Sequence, residues 1–353
     1  MTDGEVPEFL FVTCQVGAEA TLKRELAKYR PSFRFAFSRP GFLTFKLPPN
    51  HRLTIDFDLK AIFARSHGFS LGKVDVGADP AAAAEQVWRM AGDRPITALH
   101  VWPRDRHAPG EHGYEVGLTP ESRAVEELLR SKVPERLAAL RSKEPTKTGD
   151  LVLDVIVLEP NAWWLGVHGA DDLTTRRPGG IFDEIELPYE AVSRAYLKME
   201  EALRWSRLPV KPGDAAAEIG CAPGGSCQAL LRRQMSVMGI DPAEMHPAVL
   251  DHPNFAHIRK RGAEVRKRQF AGVRWLMTDM NVAPTYTLDT VEAIVTHEDV
   301  DIEGMILTLK LLDWAQADAV EDYRARIQSW GYTKIQMRQL QHNRREFTVA
   351  AIR

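Results

Sequence analysis

The sequence predicts an α/β fold for its C-terminal half, preceded by an α+β region. From residue 213 onward, strand-like apolar runs alternate with helix-like runs, a pattern typical of a mostly parallel, Rossmann-like sheet. Strand pairs such as 33–47 and 150–170 occur earlier in the chain, where helical runs are mixed in without that alternation. The stretch 171–188 is polar, rich in Gly and Pro and without periodicity, so it predicts a domain boundary.

The composition limits the class of protein. The chain has 353 residues, of which 44% are hydrophobic and 27% are charged, with a formal net charge of −2. This length predicts two or three domains. No run approaches the roughly 18 apolar residues of a membrane span, and the acidic N-terminus lacks the order of a signal peptide. Three scattered cysteines fit neither a disulfide framework nor a zinc site, so we expect a cytoplasmic protein with no metal and no membrane partner.

The chain divides into three predicted regions. We expect an α+β subdomain at 1–75, a second α+β domain at 76–175 and the catalytic domain at 176–353. The elements predicted in the first two are a strand at 9–16, a helix from Gly17, a hairpin at 33–47, a helix at 79–90, a strand at 96–102, a helical run at 121–141 broken near Pro134, and two adjacent strands at 150–170. These follow from apolar periodicity and from Gly and Pro turn signals.

The catalytic domain is predicted to begin with a helix at 189–206. The elements expected after it are strands at 214–220, 236–241, 255–260, 273–280 and 304–312, with helices at 225–235, 243–252 and 285–297 between them and another at 319–332. The last two runs, 333–341 and 346–353, have no helix between them. They therefore predict an antiparallel hairpin at the edge of an otherwise mostly parallel sheet.

The stretch EIGCAPGGSC, residues 218–227, lies where the first of these strands should turn into a helix. Ligands of open α/β sheets bind beyond the carboxyl ends of the strands, and glycine allows the backbone to approach them closely. The next strand ends in Asp241, where a carboxylate would bind two ribose hydroxyls. The spacing matches neither a dinucleotide nor a triphosphate loop. S-adenosylmethionine is therefore the candidate ligand, and a purely structural glycine turn is the alternative.

Four charged residues are predicted to lie near the same edge. Lys310 stands in the apolar strand 304–312, where a lysine must be paired, snorkelling or functional. Asp279 ends the neighbouring strand, Lys198 lies on the preceding helix and Glu346 begins the last strand. Each also has a structural alternative, since Lys198 suits an exposed helix face, Asp279 a turn cap and Glu346 an edge strand.

Four motifs, EIGCAPGG, TDM, LTLKL and REFTV, stand in the order and spacing of a known family. They resemble those of the FtsJ-like RNA ribose 2′-O-methyltransferases, and SRAYLKMEEAL is most similar to the RlmM-type branch, which modifies a cytidine of bacterial large-subunit ribosomal RNA. The resemblance covers 190–353 well. It extends more weakly to the N-terminal part, which is similar to the THUMP-containing RNA-binding region of that branch.

The resemblance implies site residues. The family's Lys-Asp-Lys-Glu catalytic tetrad would be Lys198, Asp279, Lys310 and Glu346. The residues implied to bind S-adenosylmethionine are Ser193, Gly220, Cys221, Ala222, Pro223, Gly224, Gly225, Asp241 and Asp279. The chain departs from the family at Ser226, where an aromatic residue is frequent. It also departs after the third strand, where either Glu264 contacts the adenine or the contact is made differently.

The chemistry requires a base for the ribose hydroxyl. A lysine is protonated at neutral pH, but burial and a nearby cation lower its pKa. We therefore expect Lys310 to be partly neutral and to accept the proton. In this expectation Lys198 and the sulfonium supply the cations, Asp279 orients Lys310, and Glu346 holds Lys198.

The substrate is expected to be RNA, bound through its phosphates. The basic stretches 259–268 and 338–345 are the candidate contacts, and a solvated charged surface is the alternative for each. The resemblance implies a cytidine of large-subunit ribosomal RNA as the substrate, and the same chemistry on transfer RNA or a messenger cap is the alternative, which the motifs do not separate. A catalytically silent RNA-binding protein on the same scaffold is the remaining hypothesis, and both a monomer and a homodimer stay open.

Overall fold

The computed structural model of this protein describes residues 7–353, so residues 1–6, whose acidic character argued against a signal peptide, lie outside it. The chain forms two compact units, Met1–Asp183 and Glu184–Arg353. Each unit is built on a seven-stranded sheet. Between residues 7 and 353, none of the helices has the length and apolar character that crossing a membrane requires.

The first unit has a mixed sheet with helices. Its strands are β1 (Phe9–Thr13), β2 (Arg34–Arg39), β3 (Phe42–Lys46), β4 (Ser66–Asp75), β5 (Ala98–Pro103), β6 (Leu151–Glu159) and β7 (Ala162–Gly169), and its α-helices are α1 (Glu19–Tyr29), α2 (Pro80–Ala91) and α3 (Pro120–Ser131). The strand order is β2-β3-β1-β4-β7-β6-β5, and β5 and β6 form the parallel pair. The 121–141 run breaks as predicted, since α3 ends before Pro134 and a 3-10 segment follows at Glu135–Arg141.

The sheet contains a strand, β4, that we did not predict. Its sequence mixes glycine and polar residues, so the apolar alternation of a strand is weak. A Cβ on Gly68 would lie 2.7 Å from the Phe11 ring, which explains why this buried strand position is glycine. Because β4 pairs with both β1 and β7, one sheet spans the boundary predicted between 1–75 and 76–175. The division into three regions stays a prediction.

The second unit has the alternating architecture that the sequence predicted. Its strands are β8 (Ala215–Ile219), β9 (Ser236–Ile240), β10 (Phe255–Ile258), β11 (Trp275–Thr278), β12 (Gly304–Lys310), β13 (Lys334–Arg338) and β14 (Glu346–Ile352), and its α-helices are α4 (Ala195–Ser206), α5 (Gly225–Arg232), α6 (Pro247–Leu250), α7 (Pro284–Val295) and α8 (Val320–Ser329). The strand order is β10-β9-β8-β11-β12-β14-β13. Strands β8 to β12 pair in parallel, and β14 runs antiparallel between β12 and β13. The predicted parallel sheet with a final antiparallel hairpin is confirmed.

Two helices begin several residues later than predicted. Helix α4 begins at Ala195 rather than near 189. The preceding segment instead gives the backbone N–H of Val192 to the Gln228 side chain, 2.8 Å away on α5. Helix α6 is a single turn that starts at Pro247 and is capped by the His246 ring. In both cases a side chain accepts a hydrogen bond from a backbone N–H group that would bond within a longer helix.

Strands β11 and β12 form the buried centre of the second sheet. Every residue of β11 is buried, and so is every residue of β12 except its last, Lys310. A buried strand of the sheet therefore ends in a lysine at the carboxyl edge.

Candidate active site

Four charged side chains meet at the carboxyl edge of the second sheet. The Lys310 Nζ lies 2.9 Å from Asp279 Oδ1 and 2.5 Å from Glu346 Oε2. The Lys198 Nζ lies 3.2 Å from Asp279 Oδ2 and 2.7 Å from Glu346 Oε1. Each ammonium thus contacts both carboxylates, and the four groups form a closed ring of alternating charge, which we call the quartet. The structure brings together all four residues of the predicted tetrad.

The topology explains why residues so far apart in sequence converge. Asp279 directly follows β11, and its backbone N–H donates to the Ile219 carbonyl at 3.0 Å, at the end of β8. Lys310 ends β12, which lies beside β11 in the sheet. Because β14 runs antiparallel to β12, its first residue, Glu346, is the direct cross-strand partner of Lys310. Lys198 reaches the same edge from the first turn of α4.

The quartet is mostly withdrawn from solvent. The side chains of Lys198 and Lys310 are each 16% exposed, that of Asp279 is 14% exposed and that of Glu346 is 4% exposed. Burial acts to raise the pKa of Asp279, but the Lys198 and Lys310 ammonium groups bring that pKa below its ordinary value. Two positive and two negative charges compensate one another in this space.

The expectation of a lowered pKa for Lys310 was wrong. Burial does act to lower the pKa of Lys310, but the Asp279 and Glu346 carboxylates outweigh it and raise that pKa well above its ordinary value. We also expected Asp279 to pair with Lys310 and Glu346 to pair with Lys198. In the structure each carboxylate contacts both lysines. In this arrangement Lys310 is held as an ammonium ion.

The glycine turn between β8 and α5 is shaped by close packing. Gly220 has φ +82°, and a Cβ there would lie 2.8 Å from Met280 Cα. A Cβ on Gly225 would lie 2.7 Å from the Ser193 carbonyl and still closer to the Ser193 hydroxyl. We expected glycine here because a ligand approaches the backbone. At these two positions the protein's own atoms are close neighbours, so packing also requires glycine, and the approach of a ligand stays a prediction.

Asp241 ties the glycine turn to the next strand. Its Oδ2 accepts a hydrogen bond from the Ala222 N–H at 3.1 Å, and its Oδ1 accepts one from the Ala243 N–H at 2.8 Å. The Pro223 carbonyl accepts a hydrogen bond from the His246 N–H at 3.0 Å. The Asp241 carboxylate is half-buried, and each of its oxygens keeps a free lone pair.

Two further predicted cofactor contacts have different environments. The Ser193 hydroxyl oxygen is buried and has no hydrogen-bond partner within residues 7–353. The Cys221 side chain is buried, and its Sγ lies 3.6 Å from Met245 Sδ. Ser193 therefore retains hydrogen-bonding capacity beside the turn, whereas the thiol packs into the core.

We overlooked Glu218, a fully buried carboxyl group beneath the glycine turn. The Ser226 hydroxyl donates to one of its oxygens, and the Cys227 Sγ lies 3.0 Å from the other. Burial, together with the Asp279 and Asp241 charges, raises the pKa of Glu218 to about 8. A glutamate inside the apolar run AAAEIG was the signal in the sequence. It also gives a local role to Ser226, whose hydroxyl hydrogen bonds to Glu218.

A second overlooked carboxylate, Glu201 on α4, holds the turn between β13 and β14. Its two oxygens accept hydrogen bonds from the backbone N–H groups of Gln341 and His342 at 2.8 and 3.0 Å. Residues 339–343 are buried, so only part of the basic stretch 338–345 is available for phosphate contacts. Arg344 and Arg345 are its exposed cations.

The other basic stretch, 259–268, is largely exposed. Its exposed cations are Arg259, Lys260, Arg261, Arg266 and Arg268. Glu264, which we considered for the adenine, accepts a hydrogen bond from the Arg261 N–H at 3.2 Å and so closes its own 3-10 turn. This stretch remains the candidate surface for phosphate contacts.

Comparisons with known proteins agree with the motifs. Residues 191–322 match the family described as FtsJ-like methyltransferase. The chain is 33% identical over 207 residues to the ribosomal RNA large subunit methyltransferase M of Methylococcus capsulatus, a match covering 56% of each chain. It is 28% identical over 251 residues to the protein of that name from Idiomarina loihiensis, covering 65% of this chain and 66% of the relative.

Among solved structures, TrmN from Thermus thermophilus aligns over 98% of this chain and 99% of its own, with 14% identity and a TM-score of 0.35. The chain spans little more than half the length of the first relative named above. The resemblance inferred from the motifs is confirmed by the family match and by the two sequence relatives.

Proposed function

We propose that this protein methylates a ribose 2′-hydroxyl of large-subunit ribosomal RNA, at a cytidine, with S-adenosylmethionine as methyl donor. The observation that carries the proposal is the quartet, in which two lysines and two carboxylates close a ring at the ligand edge of a parallel sheet. The family match and the names of the relatives support both the reaction class and the substrate.

The residues beside the quartet fit the methyl donor. Asp241 has free lone pairs at the end of β9, where two ribose hydroxyls would be bound. The Ser193 hydroxyl, which has no hydrogen-bond partner among residues 7–353, and the backbone of the turn at 220–225 would contact the amino-acid part. Asp279 is a further candidate contact. When bound, S-adenosylmethionine supplies an electrophilic methyl group on a sulfonium.

The quartet would carry the ribose proton by a relay. Since the carboxylates hold Lys310 as an ammonium ion, it cannot simply act as a free amine. Instead, its Nζ would give one proton to Glu346 Oε2, 2.5 Å away, as it accepts the proton of the 2′-hydroxyl. Lys198 would stabilise the carboxylates through this exchange, and Asp279 would keep Lys310 aimed at the ribose.

RNA binding would draw on both units. The exposed arginines and lysines of 259–268, with Arg344 and Arg345, would contact phosphates. The α+β unit, which we compare to a THUMP-containing region, would add RNA-binding surface. A ribosomal substrate would be met in the cytoplasm, in keeping with the free thiols of Cys14, Cys221 and Cys227.

The test is methyl transfer from labelled S-adenosylmethionine to fractionated RNA, followed by mapping of the labelled nucleotide. We expect label on a cytidine ribose of large-subunit ribosomal RNA. Lys310→Met should abolish transfer and still bind the methyl donor. The matched control is Lys334→Met, which removes an exposed lysine of β13 and should leave transfer unchanged.

Three outcomes would contradict the proposal in different ways. Label in transfer RNA or a messenger cap would overturn the substrate. Binding of RNA and methyl donor without transfer would favour the silent RNA-binding protein. Full activity in Lys310→Met would remove that lysine from the chemistry.

A further inference from the structure

The first unit contains a second cluster of titratable side chains, on the strands β5, β6 and β7. His100 and Asp154 are direct partners in the parallel β5–β6 pair. In the β6–β7 pair His168 is the partner of Val152, and Val152 precedes Asp154 by two residues in β6. Because side chains two residues apart share a face of a sheet, all three point to the same side. They are almost completely buried, with exposures of 2%, 0% and 8% for His100, Asp154 and His168.

The hydrogen bonds orient both imidazole rings toward the carboxylate. The His100 Nε2 lies 2.8 Å from the Thr146 hydroxyl, and the His168 Nε2 lies 2.8 Å from the Thr175 carbonyl. The carbonyl can only accept, so His168 Nε2 carries a proton. The two Nδ1 atoms are thereby directed at Asp154, with His168 Nδ1 at 2.6 Å from Oδ2.

Two polar atoms of this cluster lack hydrogen-bond partners within the described residues. His100 Nδ1 and Asp154 Oδ1 lie 4.0 Å apart, and neither has a hydrogen-bond partner among residues 7–353. A buried polar atom without a partner destabilises the fold, so two such atoms facing one another call for a third group between them.

We propose that His100, Asp154 and His168 bind a divalent transition-metal ion of the zinc class. One donor atom from each of the three residues lies within 4.8 Å of the others, so small shifts of these side chains would enclose an ion. Two imidazole nitrogens and one carboxylate oxygen are a donor set that zinc accepts, leaving one position for water. Thr146 and the Thr175 carbonyl would hold the outer ring nitrogens, as outer partners of metal-bound histidines commonly do.

A cavity lies beside Thr146, the hydrogen-bond partner of His100. A cavity of about 190 Å³ is lined by Thr146 and by Leu99, the neighbour of His100 in β5. A bound ion would link three adjacent strands. Through Thr146 and Thr175 it would also stabilise the loops before β6 and after β7. We expected no metal because the three cysteines are scattered. Residues spaced 54 and 14 apart form no ligand motif in the sequence, and the strand pairing is what brings them together.

The test uses the full chain, stripped with EDTA and then titrated with Co²⁺ and Zn²⁺. We expect one equivalent of Co²⁺ to bind with the visible absorption of nitrogen and oxygen ligation, and Zn²⁺ to raise the thermal unfolding midpoint by several degrees. Asp154→Asn and His100→Leu should each weaken Co²⁺ binding at least tenfold. The control is the exposed pair His107 and His112, changed together to alanine, which should bind as the wild type does.

Other results would overturn the inference. Failure of the wild type to take up either ion would leave the cluster as a His168–Asp154 ion pair only. Loss of binding in the His107/His112 variant would assign the uptake to the surface. If neither cluster variant folds, the stoichiometry and absorption of the His107/His112 variant decide. The methyltransferase proposal is independent of each of these outcomes.

Discussion

Lys310 and Glu346 are direct cross-strand partners, and their charged atoms, Nζ and Oε2, lie 2.5 Å apart at the buried edge of the second sheet. The pairing of β12 with β14 therefore sets the geometry of the site. It also means that the charge balance of the site contributes to the stability of the hairpin, because removing either residue would leave one net charge in a mostly buried site.

The stability of this pair should be strongly non-additive. Lys310→Met leaves two carboxylates against one lysine, and Glu346→Gln leaves two lysines against one carboxylate. The double variant restores the balance, so we expect it to be less destabilised than the sum of the single variants by about 1–3 kcal/mol. Denaturant unfolding of the four proteins measures this coupling. Simple additivity would show that the pair is not energetically coupled.

The pH dependence of the proposed methyl transfer would distinguish a relay from a free amine. The raised pKa of Lys310 keeps it protonated throughout the neutral and mildly alkaline range. A free-amine base would then make the single-turnover rate rise about tenfold per pH unit. The relay through Glu346 predicts a nearly flat rate between about pH 7 and 9. A steep rise over that range would restore the free-amine mechanism.

Glu218 should make the protein less stable as the pH rises. Its pKa is about 8 in the folded protein, against an ordinary value of 4.5. Between these values the folded state holds a proton that the unfolded state has lost. The free energy of unfolding therefore falls with increasing pH, by at most about 1.4 kcal/mol per unit. Above about pH 8 this contribution is gone.

The variant Glu218→Gln keeps the shape and removes the titration. Unfolding curves at pH 5.5 and pH 8 should show a smaller loss of stability in the variant than in the wild type. Parallel losses in the two proteins would mean that Glu218 does not titrate in this range.

Glu201 is a positioning residue for the β13–β14 turn. Glu201→Gln retains one acceptor for the N–H groups of Gln341 and His342 and introduces a donor facing them. We expect a loss of about 1–3 kcal/mol in unfolding free energy and a fall in the rate of methyl transfer with unchanged affinity for the methyl donor. Glu321→Gln, on the surface of α8, serves as the control. A lower affinity at an unchanged rate would contradict the positioning role.

Gly225 should not tolerate a side chain. In Gly225→Ala the new methyl group would collide with the hydroxyl and carbonyl of Ser193, so α5 would have to move away from the segment before α4. We expect destabilisation and weaker binding of the methyl donor, measured by thermal unfolding and equilibrium dialysis. The matched control is Gly77→Ala, where nothing lies within 4 Å of the added methyl group. Equal effects of the two changes would contradict this packing argument.

Local patterns were sufficient for much of the fold. Alternation of apolar runs predicted the parallel strands of the second unit, and the absence of a helix between the last two runs predicted their antiparallel pairing. The tetrad residues could be selected because the ends of parallel strands share one edge. Strand β4 and the start of α4 escaped prediction, since glycine packing against Phe11 and the Gln228 hydrogen bond are contacts between distant segments.

Charge partners and neighbours across the fold were decided only by the three-dimensional arrangement. In the sequence, a lysine in an apolar strand predicts a lowered pKa. In the structure, two carboxylates from other elements lie beside Lys310 and raise its pKa instead. The glycine turn predicts the close approach of a ligand, and only the fold shows that Ser193 and Met280 also lie against Gly225 and Gly220. Periodicity and turn chemistry depend on a few neighbouring residues, so they can be recognised in the sequence. Electrostatic and packing energies depend on distances between atoms, which only folding brings within range.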